Sequence, residues 1–281
     1  MADASLRVAL GDRRYEVDRD FYTHSGPGSV SDVAVGPDGL VHVLIRHDPS
    51  LRQPYDAVIT LDSEARVLGR WGGEIIADSH MLSAAPDGRL FIVDRDAHEI
   101  VICEGEARLG GIGKRHAPLE PFNHPTAVAF CPRGTIYVSD GYANHKIHRF
   151  SPTAEPLGSW GAFGTGPGEF INPHALWVLK DGRVVVVDRE NDRLQVFSAD
   201  GVLIDIWTGF IKPLDVWADA DDRLYVTDLV PSLALLASDG TRLGRCRPVL
   251  NGAHGVSGDA RGNLYLAEPS PSRVTRLVPI A

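Results

Sequence analysis

Apolar and polar positions along this chain fall into short runs of about five residues, strictly apolar or alternating, and no segment shows helical periodicity. The runs come in pairs around a turn. Residues 40–45, 90–94, 136–140, 184–188, 224–228 and 264–268 are apolar, and the last five end in Asp or Glu. Each follows a marker at 39, 88, 134, 182, 222 or 262, read in Pro37-Asp38-Gly39, Pro86-Asp87-Gly88, Pro132-Arg133-Gly134, Lys180-Asp181-Gly182, Asp221-Asp222-Arg223 and Ala260-Arg261-Gly262. Asp-Gly between β-rich runs predicts a hairpin, because the turn needs a positive φ that glycine adopts freely. Further β segments follow in each unit, such as 146–150 and 193–197, punctuated by Trp71-Gly72, Trp160-Gly161, Asp200-Gly201 and Asp239-Gly240. Four strands per unit of 40–49 residues is the period of a propeller blade. Six markers predict an all-β, six-bladed β-propeller over residues 1–281 as a single domain. The last unit is one strand short, and residues 14–17 are the candidate strand that closes the ring.

Composition narrows the partners. The 281 residues are 43% hydrophobic and 23% charged, enough to bury a core. Lys and Arg total 28 against 37 Asp and Glu, for a formal charge of −9. That balance argues against nucleic acid and anionic membrane as partners. No apolar stretch approaches the roughly 20 residues of a membrane helix. The first seven residues show no signal peptide, and three cysteines without CxxC spacing (Cys103, Cys131, Cys246) read as reduced packing residues. A cytoplasmic protein is expected. Nothing in the sequence gives its oligomeric state.

Function must come from positions that break the repeat. Eight residues before the markers stand Ser31, His80, Thr126, His174, Leu214 and His254, so histidine occupies blades two, four and six. Alternate blades of a six-fold ring converge on its axis, and three histidines with a fourth position open are the ligand set of a catalytic zinc site. Three unrelated channel histidines bonded to carbonyls are the plainer alternative. His124, His42, His98, His145 and His148 lie outside this slot and read as structural. Seven residues after the markers stand Arg46, Arg95, Gly141, Arg189, Leu229 and Pro269. Arginines at this rim imply a small anionic substrate, with pairing to neighbouring acids as the alternative. Tyr142 follows Gly141, and a phenol beside a cation and a metal can have its pKa lowered and act as a base. The recurring Asp94, Asp140, Asp188, Asp228 and Glu268 read as caps of the fold.

Four stretches carry a family likeness: residues 122–126, residues 136–144 with Ser139-Asp140-Gly141-Tyr142, Gly168-Glu169-Phe170 with Pro173-His174, and residues 187–191. Together they resemble the NHL-repeat propeller of peptidyl-α-hydroxyglycine α-amidating lyase. The resemblance implies six blades and a zinc lyase that cleaves an α-hydroxyglycine carbinolamide to an amide and glyoxylate. It implies zinc ligands at His80, His174 and His254, an essential Tyr142, and active-site arginines at Arg46 and Arg189. It also implies a structural calcium on the carbonyls of Val33 and Leu82. The family's acidic calcium ligand is here Gly255, which counts against calcium, its site methionine is Gly252, and a disulfide-forming cysteine is Ala143.

The expected activity is therefore a zinc-dependent lyase, or one using another divalent transition metal. It would cleave a small α-hydroxy acid carbinolamide or hemiaminal to an amide or amine plus a glyoxylate-like product. Tyr142 is the expected base, Arg46 and Arg189 the carboxylate binders, and Arg95 the candidate for a second anionic group. A lactonase-like metal-dependent hydrolase and a non-catalytic NHL interaction platform are the alternatives.

Overall fold

The marker turns owe their shape to one residue each. φ is +81° at Gly39, +90° at Gly88, +87° at Gly134, +90° at Gly182 and +83° at Gly262, and Asp222 takes the same left-handed conformation at +55°. Aspartates preceding three of these glycines receive the N–H two residues on, at 3.0–3.1 Å for Asp38, Asp87 and Asp181. The structure, a computed structural model, describes residues 6–51 and 53–280. The signal-peptide reading therefore rests partly on Met1–Ser5, outside the described residues.

Six antiparallel sheets form six blades, five of four strands and one of five, so the fold is an all-β six-bladed propeller. The innermost strands are Ser29–Val35, Ser79–Ala84, Ala127–Phe130, Pro173–Val178, Pro213–Ala218 and Gly255–Gly258. The second strands are Val41–Arg46, Leu90–Asp94, Ile136–Asp140, Val184–Asp188, Leu224–Asp228 and Leu264–Glu268. In the last blade Arg273–Ile280 pairs with Arg13–Thr23 from the start of the chain, with Leu277 opposite Val17. Arg7–Leu10 then adds a fifth strand, for which the repeat pattern had no place. The innermost strand of blade six packs against that of blade one, which completes the circle of blades.

Blades stack face to face, so their middle strands are buried on both sides and need no alternation. Val184, Val185, Val186 and Val187 are all fully buried, and each such side chain contributes roughly 1.5–3 kcal/mol on leaving water. The acids that end the second strands tie neighbouring segments together. Asp94 receives the N–H groups of Ala77 and Asp78, and Asp140 that of Asn123 on both oxygens. Asp228 and Glu268 hold Arg245 and Arg273. Among the described residues no helix is long and apolar enough to cross a membrane. Cys103, Cys131 and Cys246 are unpaired.

Candidate functional site

The histidine slot sits where the innermost strands slip register. The ladder breaks between Ser79 and Leu82 at His80 and between Pro173 and Ala175 at His174, and His254 immediately precedes its strand. A bulge frees a residue from strict alternation and re-aims its side chain. The three imidazoles meet on the axis with ring centroids 5.0–5.1 Å apart, and one ligand atom from each lies within 4.8 Å of the others.

Each ring is held from the next blade. Nδ1 of His80 bonds to Thr126 O at 2.7 Å, that of His174 to Leu214 O at 2.6 Å, and that of His254 to Ser31 O at 2.8 Å. A carbonyl only accepts, so every Nδ1 carries its proton and every Nε2 presents a lone pair. The residues supplying these carbonyls are those in the same slot of blades three, five and one. Ser31 Oγ and Thr126 Oγ1 also donate to His80 O and Pro173 O at 2.7 Å. His174 Nε2 is buried with no partner. Burial first, then mutual repulsion and nearby arginines, holds His80 and His174 well below the ordinary histidine range. Burial likewise lowers His254 to about 4. Three neutral, converging and oriented imidazoles fit a divalent transition metal.

Tyr142 leans over this cluster from blade three. Its hydroxyl lies 2.9 Å from His80 Nε2 and donates to it, and its ring meets that of His80 edge-on at 5.2 Å. Gly141 is required by close approach and not by an unusual backbone angle. A Cβ there would stand 2.4 Å from both Asn172 Oδ1 and Pro173 O of blade four. Burial raises the phenol above its ordinary range and outweighs Arg189, Arg46 and Arg95, which pull it down.

The three rim arginines are in different states. Arg46 Nε meets Asp78 Oδ1 at 3.0 Å. Arg95 meets Asp78 Oδ2 at 2.8 Å and Asp96 at 2.9 Å, and its guanidinium lies 5.3 Å over the Tyr142 ring. The acid adjoining Arg95 in sequence, Asp94, is taken instead by Arg115. Arg189 is separated from Glu190 by 3.6 Å, and its Nε is buried without a hydrogen-bond partner. Sequence reading missed Asp78. It occurs at its offset in blade two alone, and its contacts reach across sequence gaps that no repeat alignment displays.

One residue further along the channel, Asp32 and Asp215 flank the position of Gly255. A Cβ at Gly255 would fall 1.8 Å from Asp32 Oδ1, so glycine is what lets the Asp32 carboxylate lie there. Asp32 receives Val33 N and Leu82 N, and Asp215 receives Val216 N and Val256 N. Burial pushes Asp215 up to about 7, and burial with the Asp215 charge raises Asp32 as well. Val33 and Leu82, the carbonyls implied for calcium, line the same cavity.

Known proteins share the repeat and the fold of this chain. The NHL repeat pattern matches residues 122–150 and 170–197. Peptidyl-glycine alpha-amidating monooxygenase of Mus musculus is 33% identical over 158 residues, 52% of this chain and 16% of that protein. A probable peptidyl-alpha-hydroxyglycine alpha-amidating lyase of Caenorhabditis elegans is 29% identical over 150 residues, 50% of this chain and 43% of that protein. The matched segment thus spans less than half the length of either relative. A gluconolactonase from Xanthomonas campestris shares the fold with a TM-score of 0.72 at 16% identity, covering 99% of this chain and 96% of that one. The chain is thus an NHL-repeat six-bladed propeller homologous to the peptidyl-α-hydroxyglycine α-amidating lyases.

Proposed function

We propose that this protein is a metal-dependent lyase, with zinc as the metal, that cleaves a small α-hydroxyglycine-like carbinolamide to an amide and a glyoxylate-like product. The observation that carries the reading is the convergence of three oriented, neutral histidines beneath the Tyr142 hydroxyl, under a rim of arginines. His80, His174 and His254 would hold the metal. When bound, zinc supplies a Lewis acid for the substrate's oxygens.

The remaining steps belong to the chain's own groups. Arg189, whose Nε has no hydrogen-bond partner among the described residues, and Arg46 bind the substrate carboxylate. Tyr142 takes the hydroxyl proton, the C–O bond becomes a carbonyl as the C–N bond breaks, and Tyr142 returns that proton to the departing amide nitrogen. Because burial favours the neutral phenol, its role as base depends on added positive charge beside it. Arg95, already shared between two carboxylates, supports the Tyr142 ring.

Metal content by plasma mass spectrometry on untagged protein, beside His174→Ala and an assay of glyoxylate release from N-benzoyl-α-hydroxyglycine, tests the reading. About one zinc per chain, far less in the variant, and release in the parent alone are expected. A parent that binds no stoichiometric transition metal after zinc reconstitution overturns it. Metal-assisted lactone hydrolysis is the second reading, favoured by the gluconolactonase-like fold. It ranks lower because, among the described residues, no carboxylate joins the histidine cluster.

A further inference from the structure

Two residues before the histidine, blade two carries Asp78 and blade four carries Asn172, and both are buried. Their backbones act alike. Asp78 O accepts from Arg95 N and Asn172 O from Arg189 N, each at 2.9 Å. Their side chains differ. The Asp78 carboxylate holds Arg46 on one oxygen and Arg95 on the other, whereas Asn172 Oδ1 and Arg189 Nε have no hydrogen-bond partner among the described residues.

We propose that Asp78 is a positioning residue. It locks Arg46 and Arg95 into one unit beside Tyr142, and the amide at the matching place in blade four leaves Arg189 open to the substrate carboxylate. The inference rests on the lyase reading above.

The physical case has three parts. A carboxylate as buried as Asp78, with 2% of its side chain exposed, is tolerated when charged partners satisfy it, and here two guanidiniums do so. Asp96 takes a further edge of Arg95, so of the two guanidiniums Arg46 is the one less neutralised and left to face an anion. A free arginine side chain loses rotamer freedom when a ligand fixes it. Fixing Arg46 before substrate arrives removes most of that cost from binding. At blade four the neutral amide adds no ion pair to the long 3.6 Å contact with Glu190, so Arg189 keeps donors for a ligand.

A double-mutant cycle tests the coupling. Parent, Asp78→Asn, Arg46→Met and the double variant are compared in two measurements. One is calorimetric affinity for N-benzoylglycine, which lacks the reactive hydroxyl. The other is kcat and KM for N-benzoyl-α-hydroxyglycine. Each single change is expected to weaken N-benzoylglycine and raise KM by about tenfold or more. The double variant should lose no more than about twofold beyond the worse single one, with zinc content unchanged. Losses that multiply overturn the proposal, because a purely structural role acts independently of Arg46.

Asn172→Asp is the reciprocal variant and keeps the test open if Asp78→Asn does not fold. It should weaken N-benzoylglycine by about tenfold or more by occupying Arg189, and unchanged affinity overturns the assignment of Arg189. A parent that turns over substrate while the cycle is additive removes this inference alone. A parent that neither binds nor turns over removes the lyase reading with it.

Discussion

Blades two and four present the same chemistry at the same offsets: a histidine in the axial slot and an arginine fifteen residues later, at His80 and Arg95 and at His174 and Arg189. Their environments separate them. His80 Nε2 takes the Tyr142 hydroxyl, whereas His174 Nε2 is buried and unpartnered. Arg95 is shared by Asp78 and Asp96 and lies over the Tyr142 ring, whereas Arg189 has a long contact to Glu190. Blade six repeats the histidine at His254 but carries Pro269 in the arginine slot. The repeat thus fixes where a side chain points, and its nearest non-repeating neighbours fix what it has left to offer a ligand.

The largest effects test the histidine half of this comparison. Tyr142→Phe should lower kcat by about 10²–10⁴-fold, the usual worth of a positioned acid–base group, with metal content unchanged. His174→Ala should abolish both metal and turnover. Metal lost with Tyr142→Phe would make the phenol a support for His80 and erase the distinction drawn between the two histidines. Paired glyoxylate-release and metal measurements read both outcomes.

Next comes the arginine half. Arg189→Met removes charged donors whose one acidic neighbour among the described residues, Glu190, stands off at 3.6 Å, a loss of roughly 1.5–3 kcal/mol, so kcat/KM should fall by about ten- to a hundredfold with KM rising. An unchanged KM would show that Arg189 does not hold the carboxylate.

The axial histidines also set a pH dependence. Their folded pKa values lie below the unfolded value of 6.5, with His254 at about 4. Between those limits the unfolded chain binds more protons than the folded one. The stability they contribute is therefore present above about pH 6.5 and lost as pH falls toward 4. Thermal midpoints of chelator-treated protein should drop across that window, and more shallowly in His174→Ala. A midpoint unchanged from pH 7 to 4.5 would mean that these rings protonate freely when folded.

Much of this molecule is legible in its sequence, for reasons tied to particular residues. Gly39, Gly88 and their equivalents announce turns because their φ excludes most other residues, and equal spacing from those turns aligns His80, His174 and His254 without any structure. What stays hidden arises between blades. Asp78 reaches Arg46 and Arg95 across 32 and 17 residues, and nothing in the repeat marks it. The rise of the Tyr142 pKa depends on burial, which a list of nearby cations does not contain. In the sequence Gly141 only interrupts the arginine slot, yet it is demanded by Asn172 and Pro173 from the adjoining blade.

The smallest expected effect is the sharpest test of the difference between the two arginines. Arg95→Met removes a charge that Asp78 and Asp96 already neutralise and a stacking contact worth about 0.5–1 kcal/mol at a partly exposed site. Methionine preserves much of the side chain's apolar packing against the Tyr142 ring. kcat/KM for a monocarboxylate substrate should therefore fall by no more than about fivefold, well short of the loss at Arg189. Equal losses at Arg95 and Arg189 would show that Asp78 does not withdraw Arg95 from the substrate and that both blades bind it. A deficit at Arg95 confined to substrates with a second carboxylate would restore it as a second anion subsite, because only a ligand reaching past Arg189 and Arg46 could sense its loss.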